Sequence, residues 1–307
     1  MKSLEAKEIA DFLGLKLNGN NLNITQGSSI NSISPGSLVF AGKYSEDLVE
    51  VLNNYTDQIL ALVVPEYEQD LKCSHILVSN PRLEFAKVMG KFLVEKQSAK
   101  IAKTAMIGEG VLLGSDVTIG EYVVIGNNVR IGNNTEIRNH VVIADNTSIG
   151  TDCLIKSHTV IGEEGFGFDF EADGTPIRIP HVGTVEIGSN VELGAFNTVA
   201  RATLEKTIVG DYVKTDDHVH IAHNVIIGEK TIITACAEIS GSVKVGNGVW
   251  IAPNASIINK ASIADKAFVG IGAVVTKDVA YNYVVAGNPA RRTGSRYLEE
   301  NLSNEPN

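Results

Sequence analysis

Between Val209 and Val275 one position in six carries the same kind of side chain. Val209, Thr215, Ile221, Ile227, Ile233, Ile239, Val245, Ile251, Ile257, Ile263, Val269 and Val275 are all large aliphatics except Thr215. Four residues after each, small or β-branched residues prevail, as at Val213, Val219, Val225 and Ala237. Neither the 3.6-residue helical period nor plain strand alternation sustains a spacing of six. A short strand, a tight turn and the next short strand do. The pattern predicts a parallel β-helix of hexapeptide repeats, each coil burying its aliphatics against the coils above and below.

The same beat starts near Lys103 and runs through Ile107, Leu113, Ile119, Ile125, Ile131, Ile137, Ile143, Ile149, Ile155 and Ile161. Glycine follows most of these, and Asn and Asp fill the turns, where left-handed backbone angles are tolerated. The beat breaks at Gly162 and resumes at Ile187, Leu193 and Val199, so residues 163–182 are predicted to project as a loop. A second, shorter excess falls between Val199 and Val209. Projecting loops on a rigid scaffold commonly build sites. The expected fold class is mainly β: a β-helix over residues 101–280, a short cap over 281–307 with a polar tail from Asn301, and a small α/β domain over 1–100. In that first domain Ser3 to Leu13 reads as a helix with Ser3 as N-cap and Gly14 as its end. Strands are predicted at Leu15–Leu17, Leu38–Phe40, Ile59–Val64 and Ile76–Val78. Helices are predicted at Glu46–Asn53 and from Asn80-Pro81 to about Lys96.

Composition narrows the function. The 307 residues carry a net charge of −10, and 44% are hydrophobic. An acidic chain argues against general nucleic-acid binding. Three scattered cysteines, Cys73, Cys153 and Cys236, make neither a disulfide framework nor a metal-ligand spacing, which points to a reducing cytoplasm. The amino-terminal residues lack the apolar core of a signal peptide, and no stretch has the length of a membrane span.

The candidate chemistry lies in His220-Ile221-Ala222-His223-Asn224-Val225. If three hexapeptides close one coil, residues 18 apart stack, and His223 lies beneath Gly241, Asn259 and Lys277. Parallel strands are about 4.8 Å apart, so this column is a compact outward-facing site. A histidine can move a proton near neutral pH. A glycine one coil above can present its backbone N–H to a developing oxyanion. His181 lies in the projecting loop and can reach a substrate, while His218 and His220 are sugar or phosphate contacts or solvated turn residues. A zinc site of His218, His220 and His223 is the metal alternative, and none is expected.

Several runs resemble the UDP-acylglucosamine N-acyltransferases of lipid A synthesis. They are Ile161-Gly162-Glu163-Glu164-Gly165-Phe166-Gly167-Phe168, Ile179-Pro180-His181-Val182-Gly183, Val191-Glu192-Leu193-Gly194-Ala195 and the His220–Val225 run, with Pro35-Gly36-Ser37-Leu38-Val39-Phe40 and Asn80-Pro81 nearer the start. The resemblance implies a left-handed β-helix, against the usual right-handed crossover rule, a homotrimer with sites between neighbours, and His223 as the base. It also implies that Phe40 and Tyr44 sandwich a pyrimidine ring, and it makes Asn197, Arg201, His220 and Asn224 substrate contacts. The chain departs from that family at Val199-Ala200-Arg201-Ala202 and at Ala252-Pro253-Asn254-Ala255-Ser256. Its end, Val269 to Asp278 and Val285-Ala286-Gly287-Asn288-Pro289-Ala290-Arg291, looks instead like acyl-CoA-dependent sugar acyltransferases. That likeness implies CoA contacts at Gly241, Gly272, Ala273, Lys277 and Arg291, with Trp250 and Ile251 bordering an acyl chain. The expectation is a cytoplasmic N-acyltransferase that moves acetyl or a small hydroxyacyl group such as 3-hydroxybutanoyl from acyl-CoA to the amine of a dTDP- or UDP-linked amino-dideoxy sugar for surface polysaccharide. The alternatives are the lipid A enzyme itself, fed by an acyl carrier protein, and a trimeric sugar-nucleotide-binding scaffold without catalysis.

Overall fold

Backbone pairing between residues 18 apart builds most of this molecule. In the computed structural model of the chain, Ile125 pairs with Ile107 below and Ile143 above, Ile131 with Leu113 and Ile149, and Ile137 with Ile119 and Ile155. Residues 4–94 and 99–296 are described, and the chain divides into two units, 1–97 and 98–307. The second unit is a left-handed parallel β-helix with three sheets as its faces. The first face runs from Met106–Ile107 to Val274–Val275, the second from Leu112–Leu113 to Ser262–Ile263, and the third from Thr118–Ile119 to Phe268–Val269.

Most strands in these faces are two residues long because few residues fit between corners, and Thr184–Ile187 and Lys206–Val209 reach four. One residue of each pair points inward, and those inward residues from Ile119 to Val285 form a single core. Most corners hold a residue at positive φ, and between Asp116 and His158 they recur every six positions. Asn and Asp accept this geometry at low cost. Their neighbours add a second device: Asn127 Oδ1 accepts the N–H of Glu109, Asn133 that of Ser115 and Asn139 that of Glu121, each at 2.8 to 2.9 Å. The glycines before these turns are then required by space. A Cβ on Gly114 would stand 2.3 Å from Asn133 Oδ1 and 2.6 Å from its backbone nitrogen.

The eighteen-residue register is interrupted twice. Ile149 pairs with Ile187 and Ile161 with Val199, a step of 38, and Ile187 pairs with Val209, a step of 22. Both surpluses leave the first face and rejoin at the second, so both project from one corner. The larger carries an antiparallel hairpin, Phe168–Phe170 with Pro176–Arg178. At the carboxyl end, Tyr283–Ala286 continues the third face and turns back into Arg291–Ser295.

The first unit holds a parallel sheet in the order Gln26–Gly27, Ser37–Ala41, Ile59–Val63, Ser74–Leu77. Alternate side chains serve two cores, Leu38, Leu60 and Leu62 on one face and Val39, Ala61 and Val63 on the other, as a parallel sheet covered on both sides requires. Helix α1 spans Ala6–Leu13 with Glu5 as N-cap and Gly14 closing it at φ 66°. The expected cap Ser3 lies outside the described residues. Leu15–Leu17 forms no strand; the only pairing there is the bridge Asn18–His75. Helix α2 is Glu46–Asn53. Helix α3, Pro81–Val88, starts as expected with the Asn80 side chain accepting the Leu83 N–H. It ends sooner, in a π-turn over Met89–Leu93, and Lys96 lies outside the described residues. No helix among the described residues is long and apolar enough to cross a membrane.

Ile233 points inward and is fully buried, whereas Ile226 points outward and is 39% exposed. Ile233→Ala should cost about 2–5 kcal/mol and Ile226→Ala far less, read from urea denaturation midpoints. Equal losses would show that the inward register is wrong.

Candidate active site

The eighteen-residue column exists. His223 leaves the first face at the corner that also carries both insertions, and Gly241 lies one coil above. A Cβ on Gly241 would meet His223 Nε2 and Cε1 at 2.7 Å, so the imidazole lies directly against that glycine. Lower in the same corner column the N–H groups of Glu109 and Asn127 are capped by side chains one coil up. The Gly241 N–H has no such cap and no other acceptor among the described residues. A bare N–H beside an imidazole is what an oxyanion site needs.

The protonation of His223 can be read from its partners. The backbone N–H of Thr203 donates to Asn224 Oδ1 at 3.2 Å, and the Thr203 hydroxyl donates to it at 3.0 Å. Only the amide oxygen can accept an N–H. His223 Nδ1, 2.9 Å from the same oxygen, therefore carries the hydrogen. Nε2, the atom facing Gly241, is the bare nitrogen able to take a proton.

The insertions hold this arrangement together. Val182 N–H donates to the Thr203 carbonyl at 2.9 Å, Arg201 N–H to the Glu163 carbonyl at 2.9 Å, and the Arg201 guanidinium to the Gly162 carbonyl. The larger insertion thus grips the smaller, the smaller grips Asn224, and Asn224 orients His223. His181 closes the loop from the other side. It is 3% exposed, and its ring stands edge-on to His223 with centroids 5.0 Å apart. Gly165 and Gly167 make room for it; a Cβ on either would come within 3.0 Å of the imidazole. Glu164 pairs with Arg178 at 3.1 Å, and that guanidinium lies over Phe168, bracing the hairpin.

Beside the corner, on the first face, is a cavity of about 380 Å³ lined by Val160, Glu163, Gly165, Phe166, Thr198 and His220. His220 Nδ1 is 2.6 Å from the Thr198 hydroxyl. Desolvation, reinforced by nearby His223, holds His220 below the usual imidazole range against the pull of Glu238. His218, His220 and His223 occupy a corner, a face and the next corner, and no cluster of potential metal ligands occurs among the described residues.

Other expected contacts fall elsewhere. Asn197 is 1% exposed and spends its amide on the Thr215 hydroxyl and the Val219 N–H, so it is a core residue. Ala273 is fully buried in the β-helix core and cannot line a pantetheine channel. Gly272 turns the corner between the third and first faces, not the corner of His223. Trp250 lies on the third face, parallel to Phe268. Lys277 shares the His223 corner and is exposed, and Arg291 is exposed with its guanidinium on the Ala290 carbonyl. Phe40 packs on Phe85 in the core shared with α1 and α3. Tyr44 packs on Tyr67, of the opposite core, and donates to Asp70 at 2.7 Å. The two rings form no sandwich. Thr203, Gly165 and Gly167 are the contributors that residue patterns did not single out.

The bacterial transferase hexapeptide (six repeats) family matches residues 98–133, 128–163 and 206–241. The chain is 41% identical over 239 residues to the UDP-3-O-acylglucosamine N-acyltransferase of Campylobacter lari, covering 74% of each. It is 34% identical over 243 residues to UDP-3-O-acylglucosamine N-acyltransferase 1 of Legionella pneumophila, covering 73% of this chain and 68% of that one. Among solved structures it is similar to the UDP-N-acetylglucosamine O-acyltransferase of Moraxella catarrhalis, with 28% identity and a TM-score of 0.57 over 64% of this chain and 74% of that chain.

The tautomer has a direct readout. ¹⁵N chemical shifts of the His223 ring should show Nδ1 protonated and Nε2 bare at pH 8, and Asn224→Ala should abolish that bias. An Nε2–H form in the unmodified protein would overturn the assignment.

Proposed function

The chain belongs to the UDP-3-O-acylglucosamine N-acyltransferase family, and from that premise we propose that it forms an amide on the amine of UDP-3-O-acylglucosamine. The observation that carries the mechanism is the bare Nε2 of His223 lying against the uncapped N–H of Gly241. His223 Nε2 takes a proton from the amine as nitrogen attacks the thioester carbonyl. The carbonyl oxygen, gaining charge, accepts the Gly241 N–H. The C–S bond then breaks, and the imidazolium returns the proton to the leaving thiolate. Losing either partner of such a site costs about 10²-fold or more in rate.

The relatives favour this acceptor over a dTDP-linked dideoxy sugar, and a thioester on an acyl carrier protein over acyl-CoA. One observation keeps acyl-CoA as the second reading of the donor. Exposed Lys277 stands on the His223 corner two coils above Gly241, and a cation there suits the phosphates of CoA. In this reading the enzyme works as a homotrimer, in which a neighbouring copy brings Gly272, at another corner of its own β-helix, toward His223. His220 and Arg201 border the acceptor, and the Glu163–Phe166 wall encloses it on the first face.

His223→Ala should lower kcat by about 10²–10⁴-fold while thermal unfolding stays near that of the parent protein. Thiol release from acyl carrier protein and acyl-CoA thioesters, each with UDP-3-O-acylglucosamine, identifies the donor. Near-parental turnover by the alanine variant would remove His223 from the mechanism.

A further inference from the structure

His181 holds a lone pair that nothing among the described residues satisfies. Its Nδ1 lies 2.9 Å from the Ile179 carbonyl oxygen. That oxygen only accepts, so Nδ1 carries the hydrogen, and in the neutral imidazole Nε2 is bare. Nε2 is buried and has no hydrogen-bond partner among the described residues. A buried acceptor left unpaired is costly, and such atoms in native proteins call for a reason. His223 presents a second bare Nε2 in the same corner, on a ring whose centroid is 5.0 Å from that of His181. Gly165 links the two: a Cβ there would lie 3.0 Å from His181 Nε2 and 2.9 Å from His223 Cδ2. Gly165 also lines the first-face cavity, so between that cavity and His181 stands backbone without a side chain.

We infer that His181 makes the site selective for a primary amine over a hydroxyl. A single tetrahedral nitrogen can donate two hydrogen bonds of about 2.9 Å at once, and the two rings that would accept them stand with centroids 5.0 Å apart. A primary amine brings two hydrogens. One goes to His223 Nε2, which removes it as the N–C bond forms and the C–S bond breaks. The other stays on nitrogen and is held by His181 Nε2, which takes no proton. A hydroxyl brings one hydrogen, and with it bound to His223 the His181 lone pair stays buried and unpaired. The effect is discrimination by an unsatisfied acceptor, which a site achieves more sharply than by shape alone. His181 is thereby a specificity-determining residue for the nucleophile. This rests on the amide-forming reading above and adds to it why nitrogen is chosen.

The test compares UDP-3-O-acylglucosamine with its counterpart bearing a hydroxyl in place of the amine, using one thioester donor. His181→Phe keeps a ring but removes the lone pair, and His181→Leu is measured beside it so that the result does not depend on one variant folding. The expected result is a loss of about ten- to a hundredfold in kcat/KM for the amine, little change for the hydroxyl, and so a shrunken amine-to-hydroxyl ratio in the variants that retain native thermal unfolding. An unchanged ratio, whether from equal losses or from none, would overturn the inference. Failure of the underlying reading looks different: the parent protein would then make no amide, or His223→Ala would leave amide formation intact.

Discussion

The vertical hydrogen bond from one coil to the next is the constraint on which the rest depends. Each short strand is too brief to stand alone, and it is stable only because a partner 18 residues away completes its pairing and covers its aliphatic side chain. Registration of this kind is unforgiving along the faces, since a one-residue slip would turn the core outward. It is permissive at corners, where chain can be added without disturbing the pairs. Both insertions obey that rule. They lie at the corner between the first and second faces, in the two coils directly beneath His223.

The corners carry their own conformational cost, and the sequence shows how it is offset. Left-handed backbone costs a non-glycine residue about 1–2 kcal/mol. About half of the corners use Asn, Asp or Gly, and others use Lys, Ser, Cys or Tyr. One column carries a run of aromatic rings: Tyr122, His140, His158, Phe196 and His218 all have positive φ. Their rings stack in succession, with centroids 4.7 to 5.2 Å apart and planes within 12° of parallel. Aromatic contacts contribute roughly 0.5–1.5 kcal/mol each, enough to offset part of the strain. His218 is thereby explained by its neighbours in the stack, a use that its closeness in sequence to His220 and His223 concealed.

How much could be read from the sequence follows from the same geometry. The β-helix and the His223–Gly241 column were legible because a period of 18 is a counting fact. So were the two loops, as departures from the count. Inward and outward positions within a turn were harder. Ala273 and Asn197 sit beside exposed corner residues yet face the core, and motif likeness does not separate the two. The Phe40–Tyr44 pair failed for a different reason. Phe40 lies in a strand and Tyr44 follows that strand, and packing on Phe85 and Tyr67 commits the rings to different cores. Thr203 was illegible because a surplus of four residues marks a loop without saying which side chain turns inward.

The placement of the insertions gives the site its chemistry. A bare β-helix corner would leave His223 in solvent, free to rotate and to exchange tautomers. Here the larger insertion binds the smaller through backbone groups, Thr203 of the smaller fixes the Asn224 amide, and that amide forces the hydrogen onto His223 Nδ1. The ring cannot swing away because Gly165 and His181 stand against one side and Gly241 against the other. Gly165, Gly167 and Gly241 leave the space that the two imidazoles fill, since a Cβ at any of them would come within 3.0 Å of one of the two histidines. Preorganised groups need not be rearranged as charge develops. The coil supplies a rigid column, and the two insertions convert one position in it from an exposed turn into an oriented base.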